Sequence, residues 1–157
     1  MKPIRVTTTV PYAPEPVYDF LDVMWLVNGS WFAMLGDWEY LGPERGIGAK
    51  AKVTATLGGR SELVEIEVIA AERPKTIVEQ NVGAGGRRIA TGTYTLELLA
   101  TGETRIAFEY EWKHAPLSER VAAPFVRAIL TAANRRALAR LAEQLPASLE
   151  PEHRLVS

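Results

Sequence analysis

The sequence has no cysteine and only two histidines, His114 and His153. Disulfides, thiolate catalysis and cysteine-ligated zinc are excluded, and two histidines supply no metal cluster of credible spacing. No apolar run approaches the roughly twenty residues of a membrane-spanning helix. At the N-terminus Lys2 and Arg5 are followed by Thr7, Thr8, Thr9 and Pro11, so the apolar core of a signal peptide is missing. The expectation is a cytoplasmic protein without stable membrane insertion. The formal net charge is −1 and no basic block stands out, so no nucleic-acid partner is expected. Neither glycine-rich stretch cradles a nucleotide. Gly83-Ala84-Gly85-Gly86 lacks the Gly-Lys-Ser/Thr ending, and Gly42 to Gly48 lies among strands. No cofactor is expected.

What is present is an ordinary soluble composition, 47% hydrophobic and 24% charged over 157 residues, enough to build one core unaided. One domain is expected over 1–146, followed by a flexible tail, 147–157. Ile4 to Val10 alternates and stops at Pro11, as a strand does. In Ala13-Pro14-Glu15-Pro16-Val17-Tyr18-Asp19-Phe20-Leu21 the prolines and the acid suit a first helical turn, and Val17, Phe20 and Leu21 share a face. A second short helix or turn is expected before Asn28-Gly29. Trp38 to Leu41 reads as a strand ended by Gly42-Pro43.

The hairpins carry the strongest local signal. Ala49, Ala51, Val53 and Ala55 alternate with Lys50, Lys52 and Thr54 up to Gly58-Gly59, a two-residue turn. If Leu57 faces Arg60, Val53 opposes Val64 and Ala51 opposes Ile66, while Lys52 opposes Glu65 and Lys50 opposes Glu67. One register gives an apolar inner face and a charge-paired outer one, and a slip of one residue would spoil both. Thr76 to Val82 is a further strand. Ile89 to Leu99 and Thr104 to Lys113 form a hairpin around Thr101-Gly102-Glu103, in which Tyr94 would face Tyr110 and Gly92 would face Trp112. From Leu117 to Leu145 the period is helical, with Val121, Ala122, Phe125, Val126, Ile129, Ala133, Ala137, Leu141 and Leu145 as an apolar stripe. Pro124 is expected near its start or at a kink, and Pro146 at its end. Strands without intervening long helices argue for an α+β fold. In it, an antiparallel sheet of about six or seven strands is covered on one side by that helix, with two short helices after the first strand.

The inner face mixes small residues with Tyr94, Tyr110 and Trp112, and alanines line the matching side of the helix. Such a mixture is compatible with close packing and with a concavity. Candidate lining residues are Trp31, Phe32, Trp38, Gln80, Tyr94, Tyr110, Trp112, Phe125 and Ile129. Gln80 is included because it would point inward beside Val78 and Val82. For catalysis the candidates are Tyr94, Tyr110 and His114, the last as a base at a cavity mouth or simply as a solvated loop residue. Arg60, Arg87 and Arg88 lie by hairpin turns, solvated or greeting an acidic ligand group.

The order of these features resembles the START-like (SRPBCC, or helix-grip) superfamily in its polyketide cyclase/dehydrase-like branch, to which the birch-pollen-allergen type is also related. The carrying segments are Pro11-x-x-Pro14-x-x-Val17-Tyr18-Asp19-Phe20-Leu21, the Trp-rich stretch from Trp31 to Trp38, Gly42-x-x-x-Gly46-x-Gly48, the alternating strands, and the terminal amphipathic helix. The likeness spans residues 3–146. It implies a curved sheet wrapped on the long helix, with a cavity between them for a lipid, polyketide or aromatic compound. A cyclase or dehydratase acting on such a molecule is the alternative. No catalytic motif of an aromatase/cyclase maps onto the chain residue by residue. A monomer or a homodimer is compatible with the sequence.

Overall fold

A computed structural model describes residues 1–22, 35–57 and 59–156. Seven strands form one antiparallel sheet: β1 (Ile4–Val10), β2 (Leu35–Leu41), β3 (Lys50–Leu57), β4 (Arg60–Glu72), β5 (Thr76–Gly83), β6 (Arg88–Leu98) and β7 (Thr104–His114). Their spatial order is β1-β7-β6-β5-β4-β3-β2. Strands β2 to β7 are a meander, and only β1 leaves chain order, crossing to pair with β7. Helix α1 (Pro14–Asp22) follows β1, a short α2 (Leu117–Val121) follows β7, and α3 runs from Ala123 to Val156. Among the described residues no helix is long and apolar enough to cross a membrane.

Local chemistry explains the elements. In α1 the prolines fall in the first turn, where no amide donor is needed, and Val17, Tyr18, Phe20 and Leu21 are buried. Its last residue, Asp22, accepts a hydrogen bond from the Gly46 amide at 3.0 Å, which ties the β2–β3 connection to the helix. The β3/β4 register is the expected one, Leu57 opposite Arg60, Val53 opposite Val64 and Ala51 opposite Ile66. The outer ion pair is diagonal, however, Lys50 to Glu65 at 2.9 Å. Ala49, Ala51 and Val53 are buried.

The β6/β7 hairpin differs from expectation by two positions. Tyr94 lies opposite Phe108, Gly92 opposite Tyr110 and Ala90 opposite Trp112. The three-residue turn is 100–102, closed by the Leu99 amide donating to the Glu103 carbonyl at 2.8 Å. Gly102 takes the left-handed conformation, φ 87°. Three-residue hairpin loops place that conformation at their last position, so Gly102 ends the loop and does not centre it. A shift of two keeps every side chain on its face.

Strand β2 begins at Leu35, earlier than expected, with a register shift between Gly36 and Glu39 and Asp37 at φ 50°. The second short helix expected before Asn28-Gly29 lies outside the described residues. A bulge between Val68 and Ala70 leaves Ile69 exposed and bends β4.

Helix α3 lies along β1, where Arg127 donates to the carbonyls of Lys2 (3.0 Å) and Pro3 (3.1 Å). Its inward stripe is Val126, Leu130, Asn134, Ala137, Leu138, Leu141 and Leu145. The expected stripe used strict steps of four from Val121. Each such step turns about 40° past a full rotation, so by Phe125 the row has left the face held by Leu145. Phe125 is accordingly exposed, at 69%, and Val121, exposed at 77%, belongs to α2 before the break at Ala122. Pro124 sits in the first turn of α3, just after the break at Ala122. Pro146 does not end the helix, which continues to Val156, since proline withholds one amide without preventing later residues from bonding.

Thr104 is fully buried, and its hydroxyl donates to the Tyr12 carbonyl at 2.6 Å, clasping β7 to the end of β1. Thr104→Val is expected to lower the unfolding free energy by about 1 kcal/mol, read from urea denaturation curves.

Candidate functional site

Between the sheet and the first half of α3 lies a cavity of about 450 Å³. Its sheet side is built from inward residues of β2, β3, β4, β5 and β7. Strand β2 gives Leu35 and Trp38, β3 gives Ala55, β4 gives Glu62, Val64 and Ile66, β5 gives Glu79 and Asn81, and β7 gives Phe108 and Tyr110. Val126, Leu130 and Asn134 of α3 close it from above. At one end stand Arg60, Arg87 and Arg88 with Pro116, Ser118 and Glu119. Walls of this kind, mainly apolar with a few polar groups, are those of a small-molecule site, and the volume lies within the usual range.

Pairing registers explain the polar groups. Glu79 lies opposite Gly92, and Gly92 opposite Tyr110, so a residue without a side chain separates a carboxyl from a phenol. A Cβ on Gly92 would come within 2.9 Å of the Phe108 ring and 3.1 Å of Glu79 Oε1. Glycine here lets the ring and the carboxyl share the sheet surface. Phe108 is also held by Tyr94, ring centroids 4.7 Å apart. Gly92→Val is therefore expected to cost about 2 kcal/mol through overpacking. It should also push Phe108 into the cavity, which thermal unfolding and loss of bound probe would report.

Glu79 is 8% exposed, and burial raises its carboxyl to about 7. Among the described residues its carboxyl makes no hydrogen bond or ion pair. Burial also pushes the Tyr110 phenol up to about 12. Below about pH 7 both groups are thus hydrogen-bond donors toward the cavity, and above it Glu79 is ionised. Asn134, 4% exposed, donates its amide to the Leu130 carbonyl at 2.8 Å.

The charged end is differently organised. Arg88 donates to both Glu119 oxygens, through Nε at 2.9 Å and through a second guanidinium nitrogen, and to Glu62 Oε1. The Glu119 hydrogen bonds come first in raising the guanidinium above its ordinary value, against the cost of burial. A Cβ on Gly83 would lie 2.7 Å from Arg88 and 3.1 Å from Glu62, so that glycine makes room for the cluster. The cluster joins β4, β6 and α2.

The expected site residues fall into five groups. Trp38 and Tyr110 line the cavity. Tyr94 (2% exposed) and Trp112 (7%) lie in the core outside it. Trp112 meets Tyr110 edge-on at 4.9 Å, and its indole Nε1 is buried without a hydrogen-bond partner among the described residues. Gln80 faces away from the cavity, whereas its neighbours Glu79 and Asn81 line it. His114 is exposed, Phe125 is exposed on the outer side of α3, and half-buried Ile129 lies off the cavity. Trp31 and Phe32 lie outside the described residues.

Glu79, Asn81 and Glu119 were not singled out by the sequence reading. A signal existed for the first two. Once Tyr94 fixes the inner face of β6, a four-residue connection between Gly83 and Arg88 makes the odd positions of β5 face inward.

The sheet, the cavity and the long helix define a START-like helix-grip protein. The chain belongs to the polyketide cyclase/dehydrase and lipid transport family, whose model matches residues 1–146. Among solved structures it is similar to TTHA0849 from Thermus thermophilus, at TM-score 0.70 and 18% identity over 94% of this chain and 99% of that one. It is also similar to the Zhui aromatase/cyclase of a Streptomyces species, at 0.67 and 16% over 91% and 94%. A Mesorhizobium loti protein gives 0.66 and 19% over 93% and 98%. At such identities the likeness establishes the fold. No curated protein matches the sequence significantly.

Proposed function

We propose that this protein binds an apolar small molecule, a lipid, polyketide or aromatic compound, in the cavity between the sheet and α3. The observation that carries this reading is the cavity itself, about 450 Å³ with walls that include Leu35, Val64, Ile66, Phe108, Val126 and Leu130. A space of that size lined by such residues forgoes packing contacts that a guest would restore. The reading takes the protein as cytoplasmic, monomeric or homodimeric, and without a nucleic-acid partner, in keeping with its net charge of −1.

The neutral fluorophore N-phenyl-1-naphthylamine tests the reading. It should brighten on binding with one site per chain, and Val64→Trp, which fills the cavity from β4, should abolish that response while leaving the circular dichroism spectrum unchanged. Equal probe binding by both proteins would sink the proposal.

One observation favours the second reading, a cyclase or dehydratase-like enzyme. Glu79 and Tyr110 present a carboxyl and a phenol to the same cavity, and a carboxyl that titrates near neutrality suits general acid–base work. The Zhui relative is an aromatase/cyclase. Turnover of a polyketide-like substrate that Glu79→Gln abolishes, with substrate binding kept, would establish this reading over simple binding.

A further inference from the structure

We propose that Glu79 is the specificity-determining residue of the cavity, binding neutral apolar molecules through an acceptor oxygen with uptake of a proton and turning carboxylates away. The inference rests on the cavity reading above and adds the chemistry of the guest.

Glu79 is 8% exposed in the wall of an apolar cavity, and among the described residues no hydrogen bond or ion pair reaches its carboxyl. A buried carboxyl without a partner is costly when ionised and needs an acceptor when neutral. A guest that fills the cavity removes the remaining water and strengthens both demands.

The charged and titratable groups of the surrounding elements do not meet them. Strand β4 contributes Arg60 and Glu62, β6 contributes Arg88, the 84–87 connection contributes Arg87, α2 contributes Glu119, and β7 contributes the Tyr110 phenol. From α3 the polar group is Asn134, which is uncharged. Arg88 is already engaged by Glu62 and Glu119. Burial is the cause of the raised Glu79 carboxyl, and no charge among the described residues contributes to it. A carboxylate guest would bring a second anionic group to this point. A cationic guest would share the cavity with three arginines, Arg60, Arg87 and Arg88, against the two carboxylates Glu62 and Glu119. A neutral guest with a ketone or similar oxygen avoids both penalties, accepting a hydrogen bond from protonated Glu79.

Calorimetric titration with four naphthalenes of nearly equal size provides the test: naphthalene, 2-acetylnaphthalene, 2-naphthoate and 2-(aminomethyl)naphthalene. The ketone should bind more tightly than naphthalene and at least about tenfold more tightly than the naphthoate. Its affinity should be about tenfold weaker at pH 8 than at pH 6, because binding then requires Glu79 to take up a proton. Glu79→Gln should still bind the ketone and lose that pH dependence. On the unaltered protein, titrations near pH 8 in buffers of different ionisation enthalpy should report close to one proton taken up per ketone bound, a readout independent of how the variant folds. If naphthalene and the ketone both fail to bind, the cavity reading falls and this inference falls with it. If naphthalene binds but the ketone shows no pH dependence beyond that of Glu79→Gln, the inference alone is overturned. It is likewise overturned if the aminomethyl compound binds best, with affinity that rises with pH.

Discussion

Arg88→Met should lower the unfolding free energy by about 3 kcal/mol and loosen α2 from the sheet. The guanidinium joins Glu62 of β4 to Glu119 of α2, and the side chains of Arg88 and Glu119 are each only 19% exposed. Removing the cation leaves two carboxylates close together in partly desolvated surroundings. That penalty exceeds the worth of the pair itself, because an uncompensated buried charge costs more than a buried pair contributes. Glu62 is more open, at 34%, which holds the figure to the lower part of the range for buried pairs. Denaturant unfolding of Arg88→Met beside the double variant Arg88→Met/Glu119→Gln would isolate the effect. The double variant should recover part of the loss, and amide exchange of Leu117–Val121 should quicken in both. A single variant as stable as the parent would mean that solvent screens the cluster.

The second large effect concerns pH. Glu79 is raised from 4.5 to about 7 in the folded chain. The native state therefore keeps a proton over that window which the unfolded chain releases. Stability is lost as pH rises from about 4.5 through about 7, and the loss is complete above it. The shift corresponds to about 3 kcal/mol. Glu79→Gln keeps the shape and has no proton to lose, so the variant should gain on the parent by about that amount between acidic and alkaline solution. Two other carboxylates, Asp19 and Glu65, behave in the opposite sense. Asp19, held below its ordinary value first by its hydrogen bond with Arg73, contributes stability that is lost as pH falls. The difference between parent and variant is therefore the quantity to measure, by urea denaturation at about pH 5 and pH 8. A constant difference would show that water reaches the Glu79 carboxyl.

Much of this arrangement could be read from the sequence, and the misreadings have physical causes. The β3/β4 hairpin was legible because two independent patterns, alanine and valine inside and lysine against glutamate outside, demanded one register. In β6/β7 the pattern set the faces, but only the left-handed Gly102 could fix the turn, hence the shift by two. Strand β5 misled for a more interesting reason. Its outer face carries Thr76, Val78, Gln80 and Val82, and its inner face Ile77, Glu79, Asn81 and Gly83. Binary patterning assigns the more apolar set to the interior. Here the interior is a cavity, and the polar residues face into it. Local rules fail most often at sites that serve function, and this strand holds Glu79. On α3 the error was geometric, because a row of strict fourfold steps winds around the helix.

The placement of α3 along β1 has a consequence for the life of the protein in a crowded solution. An outermost strand with free backbone groups invites strands from other molecules, and proteins guard such edges. At the β2 side the guard is the irregularity between Gly36 and Glu39, with acidic Asp37 and Glu39 exposed. At the β1 side it is α3 itself, anchored through Arg127 to the backbone of Lys2 and Pro3. Lifting the long helix to admit a guest would strip that guard. The helix that roofs the cavity thus also keeps the edge of the sheet covered.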